Sequence, residues 1–207
     1  NLNPNAIQYG KPLTKEDYLS KPFLSWPFRQ LDATASTDGG RAIIITTTER
    51  AKQLKNPPIM IRGYGSANDT AKGWQLTPGD PASSAAVAGH DAFEMAGLGP
   101  KDIGAAQIYD CYTYTVEATL SDYGFFDKKK SRDFMTVENI GPGGAFPVNT
   151  GGGLLSEGYY MGLTPIGEAV MQMSGRCGER QLGVLPGTKS PEFMLVSDNG
   201  GFYQSNE

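Results

Sequence analysis

The stretch QIYDCYTYTVEATLSDYGFF, residues 107–126, carries the clearest structural signal in the sequence, because its pattern predicts a buried strand that runs directly into a helix. The apolar run at its start predicts a strand over 105–110, and apolar residues at three- and four-residue spacing predict a helix over 116–123. Between them, three tyrosines fall within six positions, beside an aspartate and a cysteine. These phenols around a carboxylate at a strand end make the region a candidate functional site.

Strands and helices alternate along much of the remaining sequence, which predicts an α/β layered fold. A β-branched run predicts a strand over 42–47 that leads into a short helix, and a second strand follows over 59–64. Proline in the first turn and a closing glycine predict a helix over 81–98. A helix carrying apolar residues at 166, 170 and 173 and a strand opening EFMLVSDNGG (192–201) complete the pattern.

Residues 1–36 have a different character from the rest of the chain. They are polar, punctuated by proline and rich in aromatic side chains, with one helical stretch in TKEDYLSKPF (14–23). We therefore predict two parts: an arm over 1–36 that packs on the rest of the protein, and a domain over 37–207.

Composition excludes several classes of partner. The net charge is −4 and the pI about 5.1, so the bulk electrostatics do not favour nucleic acid. No apolar run reaches the length of a membrane span, and no export signal is expected. Cys111 and Cys177 lie far apart and outside any metal-ligand spacing, so we expect neither a disulfide framework nor a metal site, and a cytoplasmic location.

The most unusual segment is GPGGAFPVNTGGGLLSEGYYMG, residues 141–162, in which two glycine clusters flank Asn149. Glycine runs let the backbone approach a ligand and present amide groups at a helix N-terminus. The amides of Gly151, Gly152 and Gly153 are therefore candidates for binding developing negative charge. Asn149 has two readings that the sequence leaves open, namely holding a water or stabilising a backbone turn.

Three stretches, residues 107–126, PVNTGGGLLSEGYYMG (147–162) and FMLVSDNGG (193–201), resemble the C-terminal half of thiolase-fold enzymes of the lipid-transfer or sterol-carrier type. STDGGRAIIITTTERA (36–51) is similar to the beginning of that half. The resemblance spans nearly the whole chain. It implies a thiolase-like layered fold, a mixed sheet flanked by helices, and a chain that lacks the N-terminal half and one further strand.

Departures from the thiolase pattern change the expected chemistry. Tyr109 stands where enzymes of this type usually have a histidine that holds the thioester oxygen, and Tyr159 stands where a second histidine activates the nucleophile. The turn at 197–201 lacks the cysteine that acts as acid and base in a thiolase. Claisen chemistry needs a thiolate and a second proton-transfer group, so the ordinary thiolase route looks disabled in this half.

This combination resembles the bacterial steroid side-chain retro-aldolases. The resemblance implies cleavage of a β-hydroxyacyl-CoA, namely a 17-hydroxy steroid side-chain thioester, to a ketone and propionyl-CoA. It also implies no cofactor beyond the CoA of the substrate, a thiolase-like homodimer, and an OB-fold, zinc-ribbon partner subunit. The alternatives are a thiolase or acetyl-CoA acetyltransferase with its nucleophilic cysteine in the missing half, and a non-catalytic lipid-binding subunit.

The resemblance makes Tyr109 and Tyr159 the proton-handling pair, since a phenol can act as base or donor when its neighbours tune it. Tyr112 and Tyr114 are expected to pack or to line the pocket. The predicted substrate-contacting residues are Asp110, Asn149, Gly151, Gly152, Gly153, Asn199 and Gly200.

Ordinary structural roles compete with these assignments. A tyrosine at a strand end commonly belongs to the core or its rim. Asp110 has a second reading, as the cap of the helix that follows it. His90, in an alanine-rich helix, is expected to be structural rather than catalytic, and Cys111 is expected to be a small buried filler.

Overall fold

The computed structural model describes residues 2–67 and 84–198 as an α/β arrangement of short strands and helices. The helices are α1 (Lys15–Ser20), α2 (Thr48–Ala51), α3 (Ser84–Ala96), α4 (Thr113–Asp122), α5 (Ser131–Phe134), α6 (Val137–Ile140), α7 (Gly153–Ser156) and α8 (Leu163–Met173). The strands are β1 (Phe23–Ser25), β2 (Phe28–Arg29), β3 (Ala105–Ile108) and β4 (Met194–Ser197). The predicted α/β class is confirmed.

Strands β3 and β4 form a parallel pair, with Ala105 opposite Met194 and Ile108 opposite Ser197. The N–H of Tyr109 donates to the carbonyl of Ser197 at 3.1 Å and extends this pairing one residue past β3. On the other edge of β3, Ala106 bonds the backbone of Pro147 and Asn149 at 3.1 and 3.0 Å. All four β3 residues are buried, as expected of a strand with a neighbour on each side.

The apolar core joins this sheet to α4. Val116 and Leu120 of α4 pack against Ala106 and Ile108 of β3. An aromatic layer surrounds them, formed by Tyr123, Phe125, Phe126, Phe134 and Phe146. Because α8 also packs on β3 and β4, the loops that follow both strands are held from two directions. The strand and helix predicted from the 107–126 stretch are therefore confirmed.

The two strands predicted over 42–47 and 59–64 are wrong, since neither segment pairs with a described strand. The second segment packs closely against α3 instead. A Cβ at Gly63 would lie 2.1 Å from the carbonyl oxygen of Ala92, and one at Gly65 would lie 1.9 Å from that of Ala88. A β-branched sequence favours a strand only where a neighbour supplies ladder partners, and local sequence does not reveal that neighbour.

The arm contacts the chain between Tyr109 and Tyr114, the part of the 107–126 stretch that contains three tyrosines. Its predicted helix is present as α1, and β1 and β2 form a short antiparallel hairpin. The buried carboxylate of Asp32 accepts hydrogen bonds from Tyr18 Oη and from Thr113 Oγ1, both at 2.8 Å. The N–H of Thr34 donates to the carbonyl of Cys111 at 3.1 Å. These bonds fix the arm to the start of α4.

The remaining structural expectations concern single residues. Cys111 and Cys177 are both buried and unbridged. His90 lies on α3 with its side chain 74% exposed. No helix within 2–67 or 84–198 combines the length and the hydropathy needed to cross a membrane.

Candidate active site

Two loops bring the hydroxyls of Tyr109 and Tyr159 together. Tyr109 leaves the end of β3, and Tyr159 follows the glycine-rich segment and α7. Their Oη atoms are 2.7 Å apart, and the rings meet edge to face with centroids 6.2 Å apart. A separation of 2.7 Å is that of a good O–H···O hydrogen bond. The phenols that replace the two expected histidines thus form one unit.

Burial controls the chemistry of Tyr109, whose side chain belongs to a small core with Cys111 and Leu154. Only 3% of Tyr109 is exposed. Loss of hydration raises the pKa of Tyr109 far above its usual range, and the hydrogen bond with Tyr159 raises this pKa further. Tyr109 therefore keeps its proton near neutral pH and is suited to donate it.

Asp110 organises the glycine-rich loop. One carboxylate oxygen accepts the N–H of Leu154 at 2.7 Å, and the other accepts that of Leu155 at 3.4 Å. Gly153 has φ +61°, and a Cβ there would lie 2.2 Å from Asp110 Oδ2. Asp110 therefore caps α7 and not the helix that follows it in the chain, which corrects the predicted cap. With 3% exposure and its oxygens on these amides, Asp110 supports the loop, and its predicted contact with substrate stays a prediction.

The buried carboxyl of Asp110 predicts a specific pH dependence of stability. Burial raises its pKa from 3.8 to about 6, although the amides of Leu154 and Leu155 oppose this shift. The native state then binds this proton more tightly than the unfolded chain does. The contribution of Asp110 to stability is most favourable below about pH 4 and falls as pH rises to about 6. The expected change in the free energy of unfolding over this range is on the order of 3 kcal/mol.

We expect Asp110→Asn to remove this slope, because the amide does not titrate. The check is the urea midpoint of wild type and variant at several values between about pH 4 and pH 7. Asp133→Asn, at an exposed position, is the matched control and should keep the wild-type slope. An unchanged slope in Asp110→Asn would show that another group causes it.

Asn149 joins the glycine-rich loop to β3. Its side-chain oxygen accepts the N–H of Ile108 at 2.7 Å, and its side-chain nitrogen donates to the carbonyl of the same residue at 2.9 Å. Its backbone has φ +51°, and its carbonyl accepts the N–H of Gly152 at 2.8 Å. Of the two readings of Asn149, the structure supports the backbone turn. The Gly152 amide, predicted to bind developing charge, is engaged in that turn.

Gly151 lies between two buried carboxyl groups. A Cβ at Gly151 would lie 2.8 Å from Glu168 Oε2 and 2.9 Å from Glu157 Oε2. Its carbonyl accepts a hydrogen bond from Asn3 Nδ2 at 3.1 Å. Side-chain size thus explains the need for glycine at this position, while substrate binding by the amides of Gly151 and Gly153 stays a prediction.

Neither Tyr112 and Tyr114 nor the two cysteines take part in the contact between the two phenols. Tyr112 and Tyr114 pack against Phe28 of the arm, with ring centroids 5.9 and 6.4 Å away. Cys111 is buried, and loss of hydration raises the pKa of its thiol to about 11. Burial likewise raises the pKa of Cys177 to about 12. Both cysteines are thiols rather than nucleophilic thiolates near neutral pH.

The end of β4 contributes an acidic residue that the sequence did not single out. Asp198 lies against Gly162, where a Cβ would be 2.2 Å from Oδ2. Its negative charge makes a small contribution to the upward shift of the Tyr109 pKa, after the larger effects of burial and of Tyr159. Asn199 and Gly200, predicted to contact substrate, lie outside the described residues.

Comparison with known proteins assigns the chain to a family. Residues 66–207 match the family described as Thiolase C-terminal domain-like. The chain belongs to this family, and its described fold agrees with that membership. The resemblance inferred from the sequence is therefore confirmed.

Three similar proteins indicate the kind of enzyme that the chain resembles. A steroid side-chain-cleaving aldolase of Thermomonospora curvata is 36% identical over 179 residues, covering 84% of this chain and 45% of that protein. A 17-hydroxy-3-oxo-4-pregnene-20-carboxyl-CoA lyase of Mycobacterium tuberculosis is 33% identical over 203 residues, covering 94% and 53%. The solved structure of an Ltp2-ChsH2(DUF35) aldolase superimposes with a TM-score of 0.79 at 33% identity, covering 89% and 49%. The chain spans about half the length of these proteins.

Proposed function

We propose that the complete protein cleaves a β-hydroxyacyl-CoA by a retro-aldol reaction and that Tyr109 and Tyr159 transfer the protons. The observation that carries the proposal is the 2.7 Å contact between the two hydroxyls. Cys111 and Cys177 are buried thiols, so neither suits the covalent route of a thiolase. The similarity to two enzymes named as an aldolase and a lyase supports the same reaction class.

A hydrogen-bonded phenol pair can relay a proton, because each hydroxyl can accept one proton while it gives up another. The substrate alcohol gives its proton to Tyr159 Oη, Tyr159 gives its own to Tyr109 Oη, and Tyr109 protonates the α-carbon. The electrons of the alcohol O–H bond form the ketone C=O, and those of the broken Cα–Cβ bond pass through the enolate into the new C–H bond. Each phenol ends with one proton, as general acid–base catalysis requires.

The difference in burial between the two phenols indicates which one faces the substrate alcohol and which one protonates the enolate. Tyr109 is the more enclosed phenol and keeps its proton, which suits the donor to the enolate. Tyr159 is half-buried and takes the end that faces the alcohol. This relay forms no covalent intermediate on the protein.

The substrate class is proposed from similarity. The named lyase relative acts on a 17-hydroxy steroid carboxyl-CoA, so we propose a 17-hydroxy steroid side-chain thioester that yields a ketone and propionyl-CoA. No cofactor beyond the CoA of the substrate enters this balance. The name of the solved neighbour, Ltp2-ChsH2(DUF35) aldolase, supports a second subunit, which we propose to be an OB-fold, zinc-ribbon protein. We also propose that the protein forms a thiolase-like homodimer and is located in the cytoplasm.

The dependence on free CoA tests this function. The complete protein with its partner should release ketone and propionyl-CoA in equal amounts from a 17-hydroxy steroid acyl-CoA, at a rate that does not change when free CoA is added. Thiolysis consumes CoA, so a rate that rises from zero with free CoA would instead establish the thiolase alternative. Absence of turnover under both conditions would leave the non-catalytic role.

A further inference from the structure

We propose that Thr37 is a positioning residue for Tyr159, holding its backbone so that the two phenols stay within hydrogen-bond distance. This inference rests on the proposed function, because it concerns the same phenol pair. Thr37 belongs to the TDGGR segment, residues 37–41, which lies more than 120 positions before Tyr159 in the chain.

The hydroxyl of Thr37 contacts both backbone polar groups of Tyr159. The N–H of Tyr159 donates to Thr37 Oγ1 at 2.8 Å, and Thr37 Oγ1 donates to the carbonyl of Tyr159 at 3.2 Å. One side-chain atom thus serves as acceptor and as donor for the same residue. Because Thr37 is itself half-buried, water competes little for these bonds.

Two further contacts hold the TDGGR segment beside the loop that carries Tyr159. The Arg41 guanidinium pairs with the buried carboxylate of Glu157 and donates to the carbonyl of Thr164 at 3.0 Å. Gly39 lies against the ring of Tyr160, where a Cβ would be 2.1 Å from Cε1. These contacts lie on both sides of Tyr159 in the chain, so Thr37 acts from a segment that is anchored there.

The position of Tyr159 matters because a small shift breaks the hydrogen bond between the two hydroxyls. At 2.7 Å the two oxygens are near the preferred O–H···O distance, and a shift of about 1 Å breaks the bond. Misplacement by that amount costs on the order of 100-fold in rate for enzymes in general. A change at Thr37 should therefore reach the reaction through Tyr159.

Thr37→Val removes the hydroxyl at nearly constant shape, and Thr37→Ser keeps the hydroxyl. In the complete assembly, Thr37→Val should lower kcat by about 10- to 100-fold with KM within about twofold, whereas Thr37→Ser should stay within about threefold of wild type. In a Tyr159→Phe background, Thr37→Val should cause no further loss, since the group it positions is gone. Equal loss from Thr37→Val in both backgrounds, or none in wild type, would overturn the inference.

Hydrogen exchange provides a readout that does not depend on activity. The amide of Tyr159 should exchange at least about tenfold faster in Thr37→Val than in wild type or in Thr37→Ser, because its acceptor is lost. Unchanged exchange would overturn the positioning role. Faster exchange in Thr37→Val together with full activity of Tyr159→Phe would instead overturn the proposed function. The hydrogen bonds from Thr37 to Tyr159 would then have a structural role only.

Discussion

Replacing Tyr159 with phenylalanine is expected to lower kcat for carbon–carbon cleavage by about 10²- to 10⁴-fold, because the relay loses its acceptor for the alcohol proton. Tyr109→Phe should cause a loss of the same order, because the enolate loses its donor. Each substitution removes one hydroxyl from a pair 2.7 Å apart and leaves both rings in place. KM should change little, since the missing interactions belong to the transition state. Steady-state kinetics of the complete assembly measure both constants.

The matched control is Tyr112→Phe. Tyr112 lies in the same sequence cluster but packs against Phe28 of the arm, so its variant should keep wild-type kcat. All three variants should unfold at similar urea midpoints. Full activity in both Tyr109→Phe and Tyr159→Phe would refute the pairing of the phenols.

The second large effect concerns stability. Glu168 is 2% exposed and pairs with Arg180 at 2.9 Å, and it also accepts hydrogen bonds from Thr150 at 2.8 Å and Gln172 at 3.0 Å. Glu168→Gln would remove the carboxylate that pairs directly with the buried guanidinium of Arg180. Removing one partner of a buried ion pair costs about 3–5 kcal/mol, so the free energy of unfolding should fall by that order. Urea denaturation at neutral pH measures it.

Glu179 provides the control for this prediction, since it is exposed and lies next to Arg180 in the chain. Glu179→Gln should change the free energy of unfolding by less than about 0.5 kcal/mol. If Glu168→Gln behaved like Glu179→Gln, the Glu168–Arg180 pair would not stabilise the loop that begins at Asn149. Because Thr150 links the pair to this loop, loss of stability should be accompanied by loss of activity.

Local sequence predicted the elements whose partners are close in the chain. β3 and α4 follow one another within the 107–126 stretch, and the core between them forms from that stretch's own apolar spacing. The pairing of Tyr109 with Tyr159 came instead from the resemblance, since composition and periodicity do not bring positions 50 residues apart together.

The features that the sequence did not predict depend on contacts between segments that lie far apart in the chain. Asp110 reads locally as a cap for α4, yet its carboxylate bonds the N-terminus of α7, more than 40 residues further on. Thr37 carries no local signal, because its partner is the backbone of Tyr159 rather than a side chain. The segment 59–64 has a strand-like composition, but its Gly63 and the adjacent Gly65 pack against α3.

The most direct test of the phenol pair compares the Tyr109→Phe/Tyr159→Phe double variant with each single variant. If the two hydroxyls form one relay, the double variant should cleave the acyl-CoA at a rate within about threefold of either single variant, because breaking one link already stops proton transfer. Losses that multiply in the double variant would show that the hydroxyls act independently, and this result would contradict the relay.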